Sequence, residues 1–208
     1  MGRARARRTI ENAMRRCGFH DIAGVDEVGR GCLAGPVVAG AVVLDPDVHI
    51  PGLRDSKLLT PAERDDLRET IVRRAKAWSV AAVEPAEIDV LNIHHASLEA
   101  MRRAIVALVP APDLVLVDAF RVPDLFMPQR GIVGGDRQCA AIAAASIVAK
   151  VFRDELMVRL HVDDPRYGFD RHKGYATAEH LTALAQFGYS PTHRRSFRPP
   201  SLFDTMNS

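Results

Sequence analysis

The sequence predicts an α/β protein in which helices flank a mixed β-sheet. Two strand-like segments come first, and helices then alternate with further strands, an order typical of a sheet covered by helices. A chain of 208 residues, 47% of them hydrophobic, can bury the core of one domain. The longest apolar run, residues 140–149, is shorter than the ~18 residues of a membrane span, so we expect no membrane protein.

Local signals predict each element in chain order. Strands are predicted at residues 22–25, 33–44, 78–83, 114–117 and, as a short strand or turn, 131–135. Thr60, Pro61 and Glu63 form a capping-box pattern that starts a helix reaching about residue 76. Further helices are predicted at 85–108, from an Asp136 cap to about His161, and at about 177–187.

Charge and cysteine content narrow the function classes. Residues 1–16 carry six Arg and one Glu, while the rest of the chain is slightly acidic, so nucleic acid would have to bind at a local site. For these first residues we favour a solvated terminus over a specific contact with a partner or with the rest of the protein, although Thr9–Arg16 has the pattern of a short helix. Three cysteines without a CxxC pair support neither a disulfide framework nor a zinc site, and the cytoplasm is the expected compartment.

Four carboxylates lie at or near the ends of predicted apolar elements: Asp26, Glu27, Asp118 and Asp154. Each alone would more often cap a turn, but converging carboxylates raise one another's pKa and need a divalent cation. Oxygen ligands suit Mg²⁺ or Mn²⁺. Neighbouring residues of a regular strand point to opposite faces, so Asp26 and Glu27 could not both face one site. We therefore expect the first strand to bend or end at these two residues, before the Gly29-Arg30-Gly31 turn.

The predicted helix after residue 136 carries a polar stripe. Ser146, Lys150 and Asp154 recur every four residues along a helix otherwise rich in Ala, Ile and Val. A deeply buried small-residue helix would aim this stripe at a site. The alternative is a solvated helix edge, with an exposed flank formed by Arg153, Glu155 and Arg159.

The segment from Tyr167 to Tyr175 mixes basic and aromatic residues in a glycine-bearing loop, which suits a track for a nucleic-acid backbone. A surface loop with a packed tyrosine is the alternative. Near the C-terminus, positive charge is added by three arginines, Arg194, Arg195 and Arg198. His193 in the same segment is either an ordinary surface histidine or a functional one.

Six separated motifs between residues 22 and 197 resemble bacterial ribonuclease HII in order and spacing. They are Gly24-Val-Asp26-Glu27-Val-Gly29-Arg30-Gly31, Leu33-Ala-Gly-Pro36, Asp55-Ser56-Lys57, Asp118-Ala119, Ala143-Ala-Ala-Ser146-Ile-Val-Ala-Lys150-Val-Phe-Arg-Asp154, and Tyr167-Gly168-Phe169 with His172-Lys173-Gly174-Tyr175. Val28 and Ala119 stand where the family often has Ala and Gly, which are conservative departures.

The resemblance implies an RNase H-like fold and an endonuclease that acts on RNA/DNA hybrids and on single ribonucleotides in duplex DNA, as ribonucleotide excision repair requires. It implies that the four carboxylates are the catalytic metal ligands. It also implies that Gly29, Arg30 and Gly31 read the ribose 2′-hydroxyl and that Tyr175 packs on the adjoining sugar. Four residues would contact phosphate or organise the site: Lys57, Ser146, Lys150 and Lys173.

For domain organisation, we expect a basic arm at 1–19 and one catalytic unit at 20–208. Its RNase H-like core would span about 20–163 and a C-terminal helical substrate-binding segment about 164–208. We expect a monomer. Three rival interpretations remain at this point: another carboxylate-based nuclease or recombinase, a non-catalytic nucleic-acid-binding module, and a metabolic α/β enzyme. The last would want a glycine loop opening a helix, whereas a strand-like run follows Gly31.

Overall fold

A computed structural model describes residue 6 and residues 8–197, so Arg198 lies outside the described part. The strands are β1 (Ile22–Val28), β2 (Val37–Leu44), β3 (Ala75–Val83), β4 (Leu114–Asp118) and β5 (Gln129–Ile132). The helices are α1 (Thr9–Arg16), α2 (Pro61–Arg74), α3 (Pro85–Val106), α4 (Gly135–Gln138), α5 (Ala140–Asp163), α6 (Phe169–His172) and α7 (Ala178–Phe187). Short 3₁₀ turns lie at Ser56–Leu58 and Pro165–Tyr167.

The five strands form one mixed sheet in the order β3-β2-β1-β4-β5. Strand β1 pairs antiparallel with β2 and parallel with β4, while β2 and β3 are antiparallel and β4 and β5 parallel. Helix α3 covers one face of the sheet, and α5 covers the other together with α1 and α2. The predicted fold class, a mixed sheet flanked by helices, is confirmed.

Helix α5 lies unusually close to the sheet. Every residue from Ala140 to Ala149 is buried, as the small-residue pattern predicts. The approach depends on glycines in β1 and β2, because a Cβ at Gly24 would overlap the Ala141 backbone and one at Gly40 would come within 2.6 Å of the Ala145 carbonyl oxygen. This close contact brings the polar stripe of α5 against the end of β1 that carries Asp26.

Strand β1 neither bends nor ends at Asp26 and Glu27, contrary to the sequence prediction. It continues in regular register to Val28, with Asp26 opposite Gly40 and Glu27 opposite Ala39. The turn comes at Gly29, where φ is +90°. Regular pairing with β2 continues through both acidic residues and holds β1 straight, so their side chains leave opposite faces of the sheet.

The prediction that Asp136 caps one long helix is also wrong. Cys139 has extended backbone angles (φ −127°, ψ 121°) and separates the four-residue α4 from α5. Asp136 lies buried within α4 instead. Its burial, with Asp55 and Asp118 nearby, raises the pKa of its carboxyl. Helix α3 contains a further break at Asn92, whose side chain accepts hydrogen bonds from the backbone N–H groups of His94 and His95.

Residues 9–16 are not a solvated terminus, although the sequence favours one. Helix α1 packs Ile10 and Met14 against the α5 side of the sheet. Glu11 is buried, and its Oε1 accepts a hydrogen bond of 2.9 Å from the backbone N–H of Ala141 at the start of α5. The acid therefore caps a helix 130 residues away in the chain, a contact that no local pattern reveals.

The segment after α5 builds a third, smaller core from Ala34, Met157, Tyr167, Phe169, Ala183 and Leu184. Helix α7 begins after Thr177, whose side chain accepts from the backbone N–H of His180, as its predicted start implies. Within the part of the chain that the structure describes, no helix is both long and apolar enough to cross a bilayer.

Candidate active site

The predicted carboxylates come from three neighbouring elements. Asp26 and Glu27 lie near the end of β1, Asp118 is the last residue of the adjacent parallel strand β4, and Asp154 lies on α5. Parallel strands end at the same edge of a sheet, which brings Asp118 beside the β1 pair. Asp26, Glu27 and Asp118 thus meet at one edge of the sheet, whereas Asp154 lies farther along α5, in a cleft with Lys150 and Tyr175.

Asp26 is buried against α5. Burial raises the pKa of Asp26 well above its usual range, and the charges of Glu27 and Asp118 raise it further. Hydrogen bonding from Ser146 and from the backbone N–H of Glu27, 2.8 Å from Oδ1, offsets part of this effect. The carboxylate is therefore held close to other negative charge, where a cation would stabilise it.

Glu27 lies on the opposite face of β1. Burial raises the pKa of Glu27, Arg30 opposes that shift and Asp118 adds to it. Its Oε1 lies 3.4 Å from Arg30 Nη1, whereas the buried Oε2 has no hydrogen-bond partner among the described residues. An unpartnered buried carboxylate oxygen is costly, and a metal ion is one group that would satisfy it.

The other two carboxylates have protein partners. Asp118 Oδ1 accepts a 2.7 Å hydrogen bond from the backbone N–H of Gly135, and Asp154 Oδ1 lies 2.6 Å from Lys150 Nζ. Within the described residues, no three acidic, histidine or cysteine side chains already form a metal cage. The oxygen donors of Asp26, Glu27 and Asp118 still fit a hard divalent cation. The buried Asp136 is a further acid near Asp118, whose charge contributes to the raised pKa of the Asp136 carboxyl.

The Gly29-Arg30-Gly31 turn directly follows the acidic pair. A Cβ at Gly29 would overlap the Arg153 guanidinium, and φ of +90° there also favours glycine. Gly31 differs, because it is exposed and a Cβ on it would meet nothing within 4 Å. The fold needs glycine at 29, while at 31 glycine leaves open space at the turn.

Ser146, on α5, and Lys57, on the nearby 3₁₀ turn, are two further residues predicted for the site. Ser146 Oγ is 2.9 Å from Ser56 Oγ, which joins α5 to the 3₁₀ turn that carries the exposed Lys57. The i, i+4, i+8 stripe is therefore on one face, as predicted. A cleft of about 540 Å³ runs along its distal half and is lined by residues including Arg64, Lys150, Asp154, Arg171, Lys173 and Tyr175.

Tyr175 and Lys173 belong to the turn after α6. Tyr175 is 42% exposed, and burial together with the nearby Cys32, the residue after Gly31, raises the pKa of its hydroxyl. Lys173 adopts φ 53°, and its Nζ donates to the Asp170 carbonyl. The tyrosine thus stands beside the residue that follows the glycine turn.

Two arginines are buried where an exposed position was considered. Arg153, which the alternative of a solvated helix edge placed on an exposed flank of α5, is fully buried, so the structure does not support that alternative at this residue. Arg194, expected to add positive charge at the surface, is fully buried as well. Both donate to backbone carbonyl groups around residues 30–36. For Arg153 a signal was available, since it lies among Val151, Phe152 and Met157; for Arg194 we find none in the local sequence.

His193 is not a surface histidine, which corrects one of the two sequence interpretations. It is 2% exposed, and its Nε2 lies 3.1 Å from His180 Nε2. Burial lowers the pKa of His193 to about 4, with the neighbouring His180 contributing. His180 Nδ1 in turn donates to the Tyr175 carbonyl, so the pair supports the turn that presents Tyr175.

Comparisons with known proteins agree with this architecture. The family described as Ribonuclease HII matches residues 23–199. A ribonuclease HII from Thiobacillus denitrificans is 57% identical over 87% of this chain and 89% of its own, and one from Nitrosococcus oceani is 56% identical over 88% and 90%. The crystal structure of ribonuclease H2 from Pyrococcus horikoshii superposes with a TM-score of 0.74 at 26% identity, covering 90% of this chain and 99% of that one.

The sheet is therefore that of an RNase H-like fold, and the protein is a nuclease of the ribonuclease H type. This removes the binding-module and metabolic-enzyme interpretations. The match spans the carboxylates, the glycine turn and the Tyr175 turn in a single alignment. The chain belongs to the ribonuclease HII family.

Proposed function

We propose that this protein hydrolyses the RNA strand of RNA/DNA hybrids and nicks duplex DNA on the 5′ side of a single embedded ribonucleotide, leaving a 3′-hydroxyl and a 5′-phosphate. The observation that carries the proposal is the open, exposed Gly31, four residues after the half-buried Glu27 and five after the buried Asp26. Recognition of RNA requires contact with the 2′-hydroxyl. A side chain at residue 31 would hold a sugar away from the turn, and glycine does not.

Asp26, Glu27, Asp118 and Asp154 would hold two divalent cations, Mg²⁺ or Mn²⁺. When bound, two such ions lower the pKa of an attacking water and stabilise the leaving oxygen. The raised pKa values of Asp26 and Glu27 and the unpartnered Glu27 Oε2 support this assignment, because each reflects negative charge or lone pairs that the protein leaves uncompensated.

The remaining residues would bind and orient the substrate. The backbone of the Gly29–Gly31 turn would contact the 2′-hydroxyl, and the exposed ring of Tyr175 would pack against the adjoining sugar. Lys57, Lys150 and Lys173 would contact phosphates, and Ser146 would orient Asp26. Lys150 forms a salt bridge with Asp154 in the structure, so we propose that its ammonium group exchanges this carboxylate for a phosphate when cation and substrate bind.

The test is a cleavage assay on a duplex with one ribonucleotide, with and without Mg²⁺ or Mn²⁺, in which the cut site is mapped. We expect metal-dependent nicking 5′ of the ribonucleotide and no cleavage of the same duplex made entirely of DNA. Equal cleavage of both duplexes would favour a general carboxylate nuclease instead. Cleavage of a long hybrid but not of the single-ribonucleotide duplex would limit the substrate to hybrids.

A further inference from the structure

Two buried arginines hold the segment that carries the glycine turn. Arg153 reaches it from α5 and Arg194 from the C-terminal segment, and both are 0% exposed. Neither pairs with a carboxylate among the described residues, since every hydrogen bond from the two guanidinium groups goes to a backbone carbonyl. Buried cations without an anionic partner are costly, so their position calls for an explanation.

Arg194 binds the segment at several points. Its Nη1 donates to the Arg30 carbonyl at 2.9 Å, and its Nε donates to the Gly35 carbonyl at 2.9 Å. Its own backbone N–H donates to the Leu33 carbonyl, and Gly35 N–H donates to the Thr192 carbonyl. One planar guanidinium thereby fixes the distance between the middle of the glycine turn and the start of the run leading into β2.

Arg153 fixes the same segment from the other side. Its Nε and Nη2 donate to the carbonyls of Pro36 and Ala34, at 2.9 and 3.1 Å, and its guanidinium lies against Gly29. Its Nη1 donates to the Lys173 carbonyl at 2.9 Å, just before the Tyr175 turn. The two predicted substrate-reading elements are therefore joined through one buried side chain.

The buried charge of Arg194 is unfavourable in itself. Burial lowers the pKa of Arg194 to about 10, and the nearby Arg153 charge contributes. An apolar side chain would avoid the cost of a buried charge but would leave the Arg30 and Gly35 carbonyls without this donor. The arginine therefore provides a bond to the Arg30 carbonyl, at the central peptide of the glycine turn.

We propose that Arg194 is a positioning residue that sets the Gly29–Gly31 turn for recognition of the 2′-hydroxyl, with Arg153 holding the opposite side. The inference rests on the proposed function of that turn. It assigns specificity for ribose partly to the C-terminal segment, which reaches the turn through the bond from Arg194 to the Arg30 carbonyl. Phe197 lies over the Arg194 guanidinium at 5.1 Å from its ring centre and shields it.

The test compares Arg194→Lys with Arg166→Lys, the same substitution at an exposed arginine paired with Asp164. Lysine keeps the charge but cannot span both carbonyls. We expect the preference for a 2′-hydroxyl over a 2′-fluoro group at the junction, expressed as the ratio of kcat/KM values, to fall about tenfold in Arg194→Lys, because small misplacements of reading groups are costly. Amide hydrogen exchange without substrate should become faster across residues 29–36. Arg166→Lys should change neither.

A purely structural role for Arg194 would lower the melting temperature and slow both substrates equally. A folded Arg194→Lys variant with an unchanged 2′-hydroxyl preference, or with unchanged exchange at 29–36, would therefore overturn the proposal. If Arg194→Lys does not fold, Phe197→Ala, which removes only the shielding ring, decides by the same two measurements. A wild-type enzyme without 2′-hydroxyl preference would contradict the proposed function, while the exchange measurement still tests the arginine contact.

Discussion

The guanidinium of Arg153 fills the space that a side chain at Gly29 would need, whereas Gly31, two residues later, faces open space. The two positions of this motif thus hold glycine for different reasons. Gly29 is required by its φ of +90° and by Arg153, so it belongs to the fold. Gly31 has no such requirement among the described residues, and its open space agrees with the close approach of a sugar that we propose.

Gly29→Ala and Gly31→Ala should therefore separate stability from activity. We expect Gly29→Ala to lose about 1–3 kcal/mol of unfolding free energy from backbone strain and overlap. Gly31→Ala should stay within about 0.5 kcal/mol of wild type but lose about tenfold or more in cleavage at a single ribonucleotide. Urea unfolding and kcat/KM measure the two effects. Full activity of Gly31→Ala would contradict a close approach of the sugar there.

Asp26→Asn should reduce the rate of metal-dependent cleavage by about 100-fold or more, while the protein stays folded. The raised pKa of Asp26 means that its ionised form destabilises the fold above the carboxyl's ordinary pKa. A neutral amide removes that cost, so the melting temperature at pH 7 should be equal or higher by about 2–4 °C, and the gain should shrink towards pH 4. Asp47→Asn, at an exposed aspartate, is the control. Near-full activity of Asp26→Asn would refute its role as a metal ligand.

Tyr175→Ala should slow cleavage of the single-ribonucleotide duplex about tenfold or more, since packing of a ring on a nucleotide contributes about 1–3 kcal/mol. Tyr175→Phe keeps the ring and loses only the hydroxyl contact with Cys32, so most of the activity should remain. Phe126→Ala removes a fully exposed ring elsewhere on the surface and should leave cleavage unchanged. An unchanged rate in Tyr175→Ala would show that the ring does not contact the substrate.

Sequence patterns predicted the residues of the candidate site more fully than the side chains that hold them in place. The carboxylates, the glycine turn and the α5 stripe follow local rules, namely strand ends, positive φ and a four-residue period, and in the structure Asp26, Glu27 and Asp118 meet at one edge of the sheet. The sequence reading failed where a side chain acts far from its own position. Glu11 caps α5 across 130 residues, and Arg194 donates to a carbonyl 164 residues away. Such contacts depend on tertiary packing, which local periodicity does not encode.

The buried histidine pair should make the protein less stable in acid. Backbone N–H of Ser190 donates to His193 Nδ1, so neutral His193 donates from Nε2 to His180, which donates from Nδ1 to the Tyr175 carbonyl. A proton added at His193 Nδ1 would face the Ser190 N–H. The pKa of His193, lowered to about 4 against 6.5 in the unfolded chain, means that the unfolded state binds the proton first on acidification.

Unfolding free energy should therefore fall by about 2–3 kcal/mol as the pH drops from 6.5 towards 4, through this histidine alone. The raised pKa of Asp26 acts in the opposite direction, so the quantity to measure is the difference between wild type and His193→Gln in urea unfolding across this range. We expect His193→Gln to be less stable at pH 7 but to lose less stability on acidification. His49→Gln, at an exposed histidine, should follow wild type, and a His193→Gln slope equal to that of wild type would show that His193 takes up its proton equally well in both states.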